Sequence, residues 1–157
     1  MMEKRGDALR AQILHGIEQA APLYYRLVLV AALPGAGKSK ALRDVQERLG
    51  APLVNLSLEM SRRLLDFPAA QRPVRADRVV DEIVAVHRGD LVLLDNTEVL
   101  FDASLKIDPL RCLQRVSRYR TVVASWNGAV ASGELIYARP GHPEYRSYPT
   151  GELLIAS

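Results

Sequence analysis

The chain has 157 residues, 48% of them apolar and 25% charged, with 21 basic residues set against 18 acidic ones. That length suits one compact domain, and that composition excludes a disordered chain and a fibrous repeat. The net charge of +3 comes with no long run of either sign, so only a sequence pI of about 9.2 hints at DNA association.

The opening stretch MMEKRGDALR lacks the apolar core of a signal peptide. No uninterrupted apolar run approaches the roughly 20 residues that cross a bilayer. A cytoplasmic protein without a membrane segment is the expectation. Leu9, Ile13, Ile17 and Ala20 recur at helical spacing and predict an amphipathic helix over residues 7–20, so that residues 1–25 pack on the core. RLVLVAAL at 26–33 is an almost continuous apolar run, as in a parallel strand covered on both faces. The loop LPGAGKSK follows at once, and Leu42, Val45 and Leu49 predict a helix from Lys38 to Leu49 closed by Gly50.

PLVNLS at 52–57 predicts a short strand, followed by a helical segment around Ser61–Phe67 that Pro68 and Pro73 interrupt. Ala76, Val79, Val80, Ile83 and Val84 carry the next helix, which Gly89 ends before the strand LVLLD at 91–95. Asp108-Pro109 opens a further helix whose buried face is Leu110, Leu113 and Val116. A fourth long strand is expected over TVVASW at 121–126, ending at Asn127-Gly128, a common tight-turn dipeptide. Two or three short strands, near 134–138 and 152–156 and separated by Pro- and Gly-containing turns, complete the chain. Strands alternating with helices predict a single α/β domain over 1–157, three-layered with a mainly parallel sheet.

Residues 32–39 match the pattern Gly, four residues, Gly-Lys-Ser/Thr, except that Ala32 stands at the first position. Pro34, Gly35, Ala36 and Gly37 form a loop whose N–H groups can turn inward onto phosphate oxygens at a helix N-terminus. Lys38 is then placed for the β- and γ-phosphates of ATP, and the Ser39 hydroxyl for magnesium (Mg2+). Lys40 either adds charge or faces solvent. A dinucleotide fingerprint beginning at Gly35 fails at Lys40, which disfavours NAD.

Asp95, at the end of an apolar strand, looks like a Walker B carboxylate that holds the magnesium shell through water, the bland alternative being a helix cap. With one strand between the two motif strands in sequence, the arrangement resembles the AAA+/RecA-like division of P-loop NTPase cores. Asn96 stands where that division commonly carries a water-orienting glutamate. Glu98 is the candidate for that role, with Glu59 a weaker one and a helix-dipole contact the alternative for Glu98. Asn127 is the candidate polar sensor of the γ-phosphate, against a plain turn. Arg118 or Arg120 are candidate fingers reaching a neighbouring subunit in a homo-oligomer, ahead of Arg62 and Arg63. The lone Cys112 has no metal-ligand partner and is expected as a buried filler in a reducing compartment. Trp126, Tyr24 and Tyr25 are expected in the core or at a hinge.

The stretches LPGAGKSK, NLSLEMSRRLL, LLDNTEVLFD, ASWNG and PGHPEYRSY resemble the BrxF family, the small P-loop proteins of type three BREX bacteriophage-exclusion systems. The resemblance spans most of the chain. It implies an ATP-binding regulatory component of an antiviral defence system, partnered by other BREX proteins. It also implies phosphate contacts at Gly35, Gly37, Lys38 and Ser39 and an acidic position at Asp95. With the sequence ending at Ser157, an AAA+-like core without room for a helical lid domain is the expectation. A nucleotide-switched scaffold that never hydrolyses ATP is the alternative within this class. A small-molecule P-loop kinase is the enzyme alternative, although no lid signature stands between Asp108 and Trp126.

Overall fold

The computed structural model describes residues 2–157. Its centre is a parallel sheet of β1 (Leu27–Ala32), β2 (Leu53–Asn55), β3 (Leu91–Asp95), β4 (Thr121–Ala131) and β7 (Leu154–Ala156), in spatial order β2-β3-β4-β1-β7. β4 therefore lies between β1 and β3, the two strands that end at Ala32 and Asp95. Beyond that sheet, β5 (Glu134–Tyr137) pairs antiparallel with the far half of β4, and β6 (Arg146–Pro149) pairs with β5. These three form an arm off the C-terminal edge of the sheet.

Helices cover both faces. On one face lie α1 (Met2–Ala20) and α2 (Lys38–Leu49), and on the other α3 (Leu56–Leu64), α4 (Arg72–Ala85) and α5 (Pro109–Val116). The period of two along a strand sorts the side chains between the layers. Val28, Val30, Leu93 and Val123 meet Ile13, Leu42 and Val45, while Leu29, Val92, Leu94 and Val122 meet Met60, Val80, Ile83 and Leu113. Leu29, Leu42, Met60, Leu93 and Leu113 are wholly buried, and each contributes on the order of 2 kcal/mol by burial. The expected α/β architecture with a mainly parallel sheet is therefore present.

Several boundaries differ from expectation. The strand expected over 52–57 is only Leu53–Asn55, because Asn55 Oδ1 accepts from Leu58 N at 3.1 Å and starts α3 at Leu56. The helix expected around Ser61–Phe67 thus begins earlier. Pro73 does not break a helix but occupies the first turn of α4, where a missing N–H costs nothing. Nor does β4 end at Trp126. It runs through Asn127-Gly128, and the hairpin turn falls at Ser132-Gly133, with φ of 52° and 76°.

Candidate functional site

The C-terminal ends of β1, β3 and β4 converge, with Ala32 in register with Asn127 on one side and Leu94 with Ala124 on the other. The loop leaving β1 is closed by Ala36 N donating to Leu33 O at 3.2 Å. Gly35 (φ 81°) and Gly37 (φ 94°) take left-handed conformations with open space where a Cβ would stand. Backbone conformation, not crowding, demands glycine there. Pro34 is exposed, and Gly37 leads directly into α2.

Lys38, in the first turn of α2, folds back over the loop. Its ammonium donates to Ala32 O at 2.7 Å and Leu33 O at 3.1 Å, and the residue is only 6% exposed. Burial pushes the ammonium below its ordinary value, and the carboxylates of Asp95 and Glu98 oppose that shift. Two carboxylates from different elements thus share a field with one buried cation. Ser39 Oγ donates to Asp95 Oδ2 at 2.6 Å, joining α2 to the end of β3. The bond sets a hydroxyl beside a carboxylate, the two groups that would hold a magnesium ion here, Asp95 through water. Among the described residues no group of three or more His, Cys, Asp and Glu could hold a metal alone. Ser39 and Asp95 offer oxygen donors, the kind a hard cation such as magnesium takes while keeping most of its waters.

After Asp95 the chain turns sharply. Asn96 takes a left-handed conformation, φ 53° and ψ 53°, with its N–H bonded to Asp95 Oδ1 at 2.8 Å. Ser57 Oγ donates to Asn96 O at 2.6 Å, tying the turn to α3. Thr97 is buried, and its hydroxyl donates to Ser125 O on β4. These anchors hold the 3-10 turn Thr97–Phe101, which carries Glu98 towards β4, where Asn127 Nδ2 donates to Glu98 Oε1. The two residues singled out for catalysis are therefore bonded to each other. Tyr137 of β5 completes this corner, stacked on Phe101 with ring centroids 3.5 Å apart. Burial, with the charges of Glu144 and Glu98, pushes its hydroxyl up to about 12.

The other candidates lie elsewhere. Lys40 is exposed and pairs with Asp44 at 3.2 Å along α2. Glu59 pairs with Arg62 at 3.6 Å, and Arg63 approaches Glu82 at 4.0 Å. Arg118 and Arg120 precede β4, at the end of that strand remote from Asn127. Arg120 Nη1 donates to Val84 O at 3.1 Å and His87 O at 2.6 Å, closing the end of α4, and Arg118 lies 3.4 Å from the Tyr24 ring centroid. Trp126 is wholly buried as expected, whereas Tyr24 (67% exposed) and Tyr25 (41%) lie on the surface after α1 and are not core. Cys112 is buried, and burial pushes its thiol up to about 12.

Ser57, Thr97 and Tyr137 were not singled out in the sequence. Only Asn96 carried a signal, since asparagine tolerates a left-handed backbone better than most residues. Comparison with family models, curated proteins and solved structures returns no match for the chain.

Proposed function

We propose that the chain is a P-loop protein of AAA+-like type that binds ATP with magnesium at residues 34–39 and hydrolyses it slowly. The observation that carries this is the joining of Lys38, Ser39 and Asp95 at the mouth of a glycine loop that opens a helix. The order β7-β1-β4-β3-β2 supports it, because a strand separates the two that end in the loop and in Asp95, as in the AAA+/RecA-like division.

Lys38 exchanges its two carbonyl acceptors for phosphate oxygens, and the loop N–H groups supply further donors. Ser39 Oγ and Asp95 hold the magnesium shell. The metal supplies neutralisation of charge on the terminal phosphates. Glu98 orients the attacking water and takes its proton, while Asn127 fixes the carboxylate and reports the terminal phosphate along β4. On the strength of the sequence resemblance, the nucleotide state would regulate partner proteins of a BREX defence system.

A scaffold that binds ATP without turnover is the second reading. It is favoured by the hydrogen bond that occupies Glu98, and by Asn96 standing directly after Asp95. Equilibrium binding of ATP and GTP, with phosphate release measured in parallel, separates the two. Binding lost in Lys38→Ala, with release lost in Glu98→Gln, supports hydrolysis. Binding without release in the parent chain selects the scaffold. Full ATP affinity in Lys38→Ala overturns both.

A further inference from the structure

β7 is an edge of the parallel sheet, and among the described residues no backbone–backbone hydrogen bond outside its ladder with β1 reaches Leu154, Ile155 or Ala156. An edge of this kind is an open template for a further strand. Cavities flank it on both faces. On the α1 side, about 270 Å³ is lined by Gln12, His15 and Gln19 together with Leu154 and Ala156. On the α5 side runs an open groove of about 860 Å³, walled by Leu23, Tyr24 and Tyr25 after α1, by Leu110 of α5, and by Leu153 and Leu154. A strand laid beside β7 would send successive side chains to opposite faces, one into each cavity. Tyr24 also borders a cation. Arg118 Cζ stands 3.4 Å from the Tyr24 ring centroid and 5.5 Å from that of Tyr119, and these two rings are 67% and 83% exposed. Among the described residues no carboxylate pairs with Arg118, and its buried Nη1 has no hydrogen-bond partner.

We propose that this edge docks an extended segment of a partner protein, which adds a strand beside β7, sets apolar side chains in the groove and brings a carboxylate to Arg118. Charge and lining together select that occupant. A guanidinium donor buried without an acceptor is stabilised by an incoming carboxylate, and Tyr24, on the exposed turn after α1, moves aside to admit it. Leucine and tyrosine walls take the apolar side chains, and the amide-lined cavity on the α1 side takes the polar ones between them. Main-chain hydrogen bonds give such a complex its affinity, and the two cavities give it selectivity. Tyrosine and arginine gathered beside an apolar groove are also the residue types that dominate binding energy at protein interfaces. The inference goes beyond the phosphate reading and does not depend on it. The groove reaches Leu27, the first residue of β1, whereas Lys38 and Asp95 stand at the opposite ends of the strands.

The test pans a phage-displayed library of random decapeptides over the immobilised chain and measures the recovered sequences, as synthetic peptides, by fluorescence anisotropy. Enriched peptides should carry apolar residues at alternate positions and Asp or Glu near one end. Arg118→Glu should weaken their binding about tenfold or more, and exchanging the peptide's acidic residue for lysine should restore most of that loss, a compensation that damage to the fold would not give. Leu23→Ser, at an exposed position, should weaken binding about fivefold, whereas Lys38→Ala should leave it unchanged. N-methylation of alternate peptide amides should abolish binding in one register and spare it in the other, because an added strand turns every second N–H towards the sheet. Failure to enrich any peptide, enrichment without the alternation or the acid, parent-like binding to Arg118→Glu, loss of binding in Lys38→Ala, or tolerance of N-methylation in both registers overturns the proposal. So does a dimer of the parent chain in sedimentation velocity that Leu23→Ser dissolves, which makes a second copy the occupant.

Discussion

Gly128 is where β4 leaves the parallel sheet and enters the arm, and Gly128→Ala perturbs that point alone. A Cβ at 128 would overlap the Ile136 carbonyl oxygen and stand 3.0 Å from Trp126 Cδ1. Ile136 O is also the acceptor of the Trp126 indole N–H, at 3.3 Å, so relieving the clash moves the partner of a buried donor. Overpacking costs about 2 kcal/mol and the loss of that bond about 1 more, so the expected destabilisation is about 3 kcal/mol. For a chain of this size that lowers the melting temperature by about 10 °C. Trp126 is the sole tryptophan, packed edge-on against Phe101 at 4.9 Å, and its emission reports the junction without a label. The variant should melt early and show shifted native emission, while Lys38-dependent ATP binding weakens less than phosphate release, because Asn127 adjoins the altered residue. A variant with parent-like melting and emission would refute the close approach of β5 to β4.

Removing the carboxylate in Asp95→Asn should weaken magnesium-dependent ATP binding about tenfold and leave metal-free binding nearly unchanged, as a magnesium titration by calorimetry would show. Glu98→Gln and Asn127→Ala should each lower phosphate release, the first by about 100-fold or more, and their double variant should fall short of the product of the two because they share one hydrogen bond. Additive losses in rapid phosphate-release assays would argue against a paired role. With its thiol pushed up to about 12, Cys112 should react negligibly with an aromatic disulfide reagent at pH 8 and fully once the chain is denatured. As pH rises towards 12 the native thiolate fraction grows, so the native rate should climb with pH and not level off near 9.

The parallel strands β1, β3 and β4 and helix α4 were legible because the strands hold apolar runs and the helix carries its own period, as in LVLVAA and in Ala76, Val79, Val80, Ile83 and Val84. That Lys38 and Ser39 open α2 was legible because the loop motif joins strand to helix within a few residues, and that Asp95 ends β3 was legible because an apolar run leads up to it. What escaped depended on contacts between distant segments. Asn127-Gly128 reads locally as a turn, yet pairing of Asn127 with Ala32 and of Gly128 with Tyr137 keeps it extended. A third short strand was allowed for in this region, but β6 was not placed because RSYP has an exposed, irregular pattern and owes its strand to pairing with β5 alone. The Glu98–Asn127 bond spans 29 positions, and no local pattern announces it. Tyr24 and Tyr25 look like core by composition, but the turn after α1 leaves them outside.

β4 has neighbours on both sides up to Ala124, β1 alone from there to Asn127, and beyond it only β5. Mechanically it is a cantilever: clamped over its first half, free over its second, with Asn127 at the clamp. Small displacements at a clamp become larger ones at the tip. A rotation of Asn127 too slight to disturb the sheet would swing the hairpin turn at Ser132-Gly133 by a multiple of that distance. The arm can therefore serve as the pointer of the molecule and the parallel sheet as its fixed scale.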